Sequence, residues 1–218
     1  MARLRSSGSS SLLRRELFPI GFSGEVMLHI VNTWQTFSLN REVRHETKIT
    51  AVFRDALIKA YVATGRSWFI ALEDPITDPD FGSELGRNDL RFYPQNHHGQ
   101  TIFFTVECKR LRVKTKTGIS HLADKYVKEG LQRFVDGRYS SGLPCGGMVG
   151  YVMDNNISEA FTAVQTAINS RSRELKVLSK GMCTPSTALP EYEWSADTRH
   201  RCATGELAVH HALLGVPG

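Results

Sequence analysis

The chain has 218 residues, 41% of them hydrophobic, 9% aromatic and 22% charged, which fits one globular domain with a small appendage and excludes disordered and fibrous classes. Lys and Arg number 27 against 22 Asp and Glu, a formal charge of +5 that favours an anionic partner. No run approaches the roughly 18 uninterrupted apolar residues of a membrane span, since Glu25 to Trp34 is broken by His29, Asn32 and Thr33, so no membrane partner is expected.

Residues 1–22 carry Arg3, Arg5, Arg14 and Arg15 among serines, with no acid before Glu16, and read as a flexible basic arm. Residues 23–218 read as one domain. Ser23 is a good N-cap, and Val26, Met27, Ile30, Val31 and Trp34 follow at helical spacing. A second helix is predicted from about Arg44 to Thr64, with Ile49, Val52, Phe53, Ala56, Leu57, Ala60 and Tyr61 as its stripe and Gly65 as its stop.

The period then changes from 3.6 to 2. Ser67 to Leu72, Asp89 to Tyr93 and Thr101 to Lys109 read as strands, separated by an Asp/Pro/Gly-rich loop over Glu73 to Gly86 and a turn over Pro94 to Gln100. Ile119 to Val135 returns to helical spacing. Met148 to Met153 is a short apolar run suited to a buried strand, and Asn156 with Glu159 forms a capping box for the next helix. Tyr192 to Arg199 and Glu206 to Leu214 could be final strands about Gly205, the latter either a core strand or an interface.

The informative segment is Glu107-Cys108-Lys109. Alternation along a strand puts Glu107 and Lys109 on one face and Val106 and Cys108 on the other. The same spacing in Glu46-Lys48 and Glu174-Lys176 falls in predicted helices and carries no such meaning. Asp89, opening the preceding antiparallel strand, comes beside Glu107 across the hairpin. Two close carboxylates repel unless a cation such as Mg²⁺ compensates them, and Mg²⁺ prefers one or two carboxylates plus water and phosphate. The competing reading is a pair of rim acids held by Lys109 and nearby arginines. Glu46, three residues before Ile49, lies on the inward face of its helix, where an acid is rare unless paired or ligating.

This order of elements, with Asp89 opening the second strand and Glu107-Cys108-Lys109 closing the third, resembles the PD-(D/E)xK or restriction-endonuclease-like nuclease superfamily over residues 44–153. Asn88 stands where the name-giving proline would be. The resemblance implies an α/β fold with an αβββαβ core, a mixed sheet flanked by helices, and an extra C-terminal helix and strands. It implies Mg²⁺-dependent hydrolysis of phosphodiesters, with Mn²⁺ as substitute ion and DNA as the expected nucleic-acid substrate, in restriction or phage defence. Asp89 and Glu107 would hold the ion with the Cys108 carbonyl. Lys109 would orient water or stabilise the phosphorane, and Glu46 would position the ion's water shell. Duplex cleavage often uses two copies, so a homodimer or a larger defence complex is implied.

Beyond Lys109, Arg110, Arg112, Lys114 and Lys116 follow without an intervening acid, and Lys125, Lys128, Gln132, Arg133 and Arg138 flank the next apolar stripe. Arg110, Arg112, Lys114, Lys116 and Lys128 are the candidate nucleic-acid contacts; a solvated basic loop is the alternative. Tyr126, on the stripe, reads as packing. The pairs His97/His98 and His210/His211 point to opposite faces if extended, against a shared metal. Cys108, Cys145, Cys183 and Cys202 are scattered, which suits a reduced cytoplasmic protein better than a zinc site. A non-catalytic nucleic-acid or protein-interaction module keeping the fold, and a hydrolase of small phosphoesters, are the competing functions.

Overall fold

The computed structural model describes residues 7–40, 42–64, 68–77, 84–95, 101–178 and 184–216. It is a mixed α/β structure. Helix α1 is Ser7–Glu16, α2 Phe22–Thr36 and α3 Glu46–Thr64. Strands β1 (Trp68–Thr77), β2 (Glu84–Pro94) and β3 (Phe104–Leu111) follow, then a small hairpin of β4 (Val113–Thr115) and β5 (Gly118–Ser120). Helix α4 runs through Ala123–Lys125, a π-helical stretch Tyr126–Leu131, and Gln132–Val135. Strand β6 (Cys145–Val152), helix α5 (Ile157–Ser170) and strands β7 (Ser195–Cys202) and β8 (Gly205–Gly215) complete the chain.

The main sheet has the order β1-β2-β3-β6-β8-β7. Its β3–β6 and β6–β8 pairs are parallel and the others antiparallel. Alternation along the strands feeds two cores. On one face Val26, Ile30 and Trp34 of α2 and Ile49, Phe53 and Leu57 of α3 cover Leu90, Val106, Cys108 and Tyr151. On the other, Tyr126, Val127, Leu131 and Phe134 of α4 and Val164 and Ile168 of α5 cover Met148, Val152 and Leu213. Each such large side chain, fully buried, contributes roughly 1.5–3 kcal/mol. The apolar Leu207 to Leu214 run is therefore a strand of the core.

Several elements differ from the sequence reading. Residues 7–16, expected in a mobile arm, are helical; Arg14 donates to the Ser141 carbonyl at 3.3 Å and Arg15 to that of Glu206. Helix α2 starts one residue before Ser23 and is entered through Gly21 at φ 79°, a left-handed turn that glycine takes at no steric cost. β1 and β2 extend into the expected loop, pairing through Asp74–Asn88 to Ile76–Gly86, because ladder hydrogen bonds outweigh local composition there. Ile119 is in β5 rather than in α4, and Glu174 and Lys176 lie in turns after α5, with Lys176 at φ 49°. The Asn156 box forms as expected: its Oδ1 accepts from Glu159 N at 3.3 Å and its Nδ2 donates to Glu159 Oε2 at 3.0 Å. Gly65, His97, His98 and Cys183 lie outside the described residues. Among the described residues no helix is long and apolar enough to cross a membrane.

Candidate active site

Pairing of β2 with β3 stops at Leu90–Val106, and the next backbone donor on β3, Cys108 N, gives its hydrogen bond to the Asp89 carboxylate at 2.7 Å instead. Asp89 thus sits where the two strands part. Glu107 and Lys109 project from β3 on the α4 side; they are 1% and 8% exposed. Glu46 enters from the first turn of α3, where the positive end of the helix dipole favours an acid.

The four groups converge. Lys109 Nζ lies 2.7 Å from Glu107 Oε1, 3.0 Å from Glu46 Oε1 and 3.9 Å from Asp89 Oδ2. It also donates to the Cys108 carbonyl at 3.1 Å, while Glu46 Oε2 accepts from Arg110 N at 2.9 Å. The Lys109 stem passes beside Gly130 of α4; a Cβ there would stand 2.5 Å from Met148 Cε and 3.6 Å from Lys109 Cγ. A glycine is what lets α4 close onto Met148 beside the stem.

Sequence reasoning left one member out of this group. Arg133 Nη1 reaches Glu107 Oε1 at 3.2 Å and donates to the Tyr139 hydroxyl at 2.6 Å. Arg133 was legible only as one cation of a basic helix face, and Tyr139, beyond the end of α4, carried no periodic signal.

One buried acid, Glu107, and two partly buried ones, Asp89 and Glu46, around a single ammonium leave negative charge in excess. Burial first, then the charge of Asp89, pushes the Glu107 carboxyl up to about 7, against the pull of Lys109 and Arg133. Burial likewise raises Asp89, opposed by Lys109. Burial alone would lower Lys109, but Glu107, Asp89 and Glu46 hold it above its ordinary value, so it is an ammonium at neutral pH. Glu107 Oε2 is buried without a hydrogen-bond partner.

Whether these residues suit a Mg²⁺ ion follows from the donor set. Among the described residues no group of three or more His, Cys, Asp or Glu side chains is arranged to hold a metal. Mg²⁺ needs fewer, one or two carboxylates plus waters. Asp89 and the orphaned Glu107 oxygen offer two, and the Cys108 carbonyl keeps a second lone pair beside the one Lys109 uses. The set fits such an ion.

The candidate nucleic-acid contacts separate. Lys114, Lys116 and Lys128 are exposed, and Arg110 is half-buried, its Nη1 donating to the Arg44 carbonyl at 2.6 Å. Arg112 is different: it is 5% exposed, with Nη2 at 2.8 Å from Asp154 and Nη1 at 2.6 Å from Glu159. Its charge is spent inside the protein, and it is not a surface contact for phosphate.

The C-terminal histidines lie in the core. His210 faces the α2–α3 side, 2.8 Å from Asp197, whose oxygens also accept from Ser186 and Thr187. His211 faces the other way, between the Tyr126 hydroxyl and Thr198 Oγ1, each at 2.9 Å. Tyr126 is thus packing with a satisfied hydroxyl. Burial, then the neighbouring His200 charge, lowers His211 from 6.5 to about 3. A depressed histidine contributes stability that is present above its unfolded pKa and lost as pH falls toward the folded one. In urea titrations the stability gap between the wild type and His211→Gln is expected to narrow by about 2 kcal/mol between pH 7 and 5. A constant gap would show that His211 titrates normally.

Cys108, Cys145 and Cys202 are free thiols. No protein-family model, no curated protein and no solved structure matches this chain.

Proposed function

We propose that this protein is a Mg²⁺-dependent nuclease of the PD-(D/E)xK class, hydrolysing phosphodiester bonds of DNA. The observation that carries the reading is the convergence of Glu46, Asp89 and Glu107 on the Lys109 ammonium, with one Glu107 oxygen buried and unpartnered. A purely structural ion-pair cluster would be expected to satisfy that oxygen, because an orphaned buried acceptor costs about 1–3 kcal/mol.

Asp89, Glu107 and the Cys108 carbonyl would hold the ion. Bound there, Mg²⁺ supplies charge neutralisation at the scissile phosphate and lowers the pKa of a water. Lys109, kept protonated by its three acids, is a cation rather than a base. Its ammonium orients the attacking water and stabilises the negative charge of the phosphorane. Glu46 sets the position of that ammonium and, through Arg110 N, fixes the end of β3. Arg133 braces Glu107 from α4 and is itself held by Tyr139. Exposed Lys114, Lys116 and Lys128 supply phosphate contacts on the surface around this site.

The experiment is cleavage of plasmid and linear DNA by the purified protein with Mg²⁺, with Mn²⁺ as substitute. Cleavage is expected to vanish in EDTA and to drop by at least about a hundredfold in Asp89→Asn, which keeps the side-chain volume but removes a ligand charge. Cleavage that persists in EDTA, or is untouched in Asp89→Asn, would overturn the assignment. Salt-sensitive DNA binding with no cleavage under any ion would instead mark a non-catalytic module with the same core.

A further inference from the structure

A groove of about 510 Å³ opens beside the candidate site, between the loop preceding α3 and the ends of β3 and β6. Two links tie it to the site. Arg110, whose backbone N–H donates to Glu46, lines its wall, and Arg44, two residues before Glu46, accepts the Arg110 guanidinium on its carbonyl.

The floor is apolar. Leu39, Val43 and Met153 are half-buried in it and pack against the core under α2 and α3. The rim is cationic: Arg44, Arg110 and Lys114 stand around it, and among the described residues no acid forms an ion pair with any of them. The groove's own acid, Asp154, has both oxygens taken by Arg112, at 3.0 and 2.9 Å from Nε and 2.8 Å from Nη2. Its charge is therefore cancelled, and the groove presents net positive potential over an apolar surface. Asn155, exposed on the same rim, adds an amide with both donor and acceptor.

That combination suits neither a bare phosphate, which would leave the floor unused, nor a paired base, whose faces are already stacked on its neighbours. It suits a nucleotide whose base lies on the floor while its phosphate meets the rim; a base face laid on aliphatic side chains is held by the apolar area it buries, whatever the base. We propose that this groove holds an unpaired nucleotide of the substrate next to the scissile phosphate. The substrate class is then nucleic acid with single-stranded residues at the cut, such as a gap, a flap or a frayed end. The proposal rests on the nuclease reading for what the groove serves, and on its own chemistry for what it binds.

The test is binding without catalysis. In EDTA, fluorescence anisotropy would compare a labelled single strand, its blunt duplex, and the same single strand built of abasic residues, which keeps the phosphates and lacks the bases. The single strand is expected to bind about tenfold tighter than either of the others, the gain from burying roughly 55 Å² of base face. Val43→Asn makes the floor polar at similar volume and is expected to remove that preference, while Lys114→Glu weakens all three ligands. Lys59→Glu, the same charge change on the exposed side of α3, should alter binding less than twofold. Equal affinity for the base-bearing and abasic strands would overturn the proposal whether or not Val43→Asn folds. So would a Val43→Asn protein that keeps the wild-type preference. The preference without any Mg²⁺-dependent cleavage would sink the nuclease reading and leave the groove standing; cleavage without the preference would do the reverse.

Discussion

Lys109→Met is expected to lower Mg²⁺-dependent cleavage by at least about a hundredfold while DNA binding changes by only a few fold, the loss falling on kcat rather than on KM. Methionine preserves most of the stem that packs beside Gly130 and removes only the ammonium. What disappears is the cation 2.7 Å from Glu107 and 3.0 Å from Glu46. The fold is expected to survive, because the Glu107 carboxyl already stands near 7 and can take up a proton when its partner is lost. Lys109→Arg is not expected to rescue, since a planar guanidinium cannot replace a compact ammonium among three converging acids. Unaltered cleavage by Lys109→Met, measured in single-turnover assays alongside circular dichroism, would remove Lys109 from the mechanism.

Arg112→Met should act on the fold alone. Its guanidinium joins the start of α5 to the end of β3 by pairing with Asp154 and Glu159, and it is buried. Glu159 is half-exposed and keeps its water, so the cost falls on the shielded Asp154 carboxylate, which loses its charged hydrogen bonds at about 1.5–3 kcal/mol. The backbone adds to this dependence. Arg112 sits at φ 52°, and its N–H is held by the His121 carbonyl at 3.1 Å, a left-handed conformation that the surrounding bonds must maintain. Urea unfolding is expected to show the loss, while the slope of log affinity against log salt stays at the wild-type value. Lys114→Met should do the opposite, keeping stability and reducing the slope by about 0.7–0.9. A stable Arg112→Met protein with a reduced slope would place Arg112 among the proposed phosphate contacts.

The site was legible where one period ruled. Strand alternation was enough to put Glu107 and Lys109 on a shared face, and helical spacing was enough to turn Glu46 inward. Asp89 was legible as their neighbour because the hairpin order leaves it opposite Glu107. Legibility ended where the backbone departs from those periods. The basic run after Lys109 looks uniform in one dimension, yet the left-handed Arg112 turns inward while Lys114 and Lys116 point out. Residues 73–77 and 84–88 have the composition of a loop and the pairing of a ladder. The basic N-terminal segment looks solvated until Arg14 and Arg15 are seen to bond backbone carbonyls more than a hundred residues away.

The π-helical stretch Tyr126–Leu131 has a further implication for how the face bearing Glu107 and Lys109 is assembled. A π turn accommodates one residue more than an α turn of the same height, and each helical residue turns the chain by about 100°. The extra residue therefore acts as an offset that leaves Tyr126 and Val127 seated in the core while rotating everything after Leu131, and Arg133 arrives over Glu107 by that offset. Removing one residue from this stretch is expected to swing Arg133 away from Glu107 and to turn Phe134 and Val135 out of the core they fill, so aim and packing depend on the same offset.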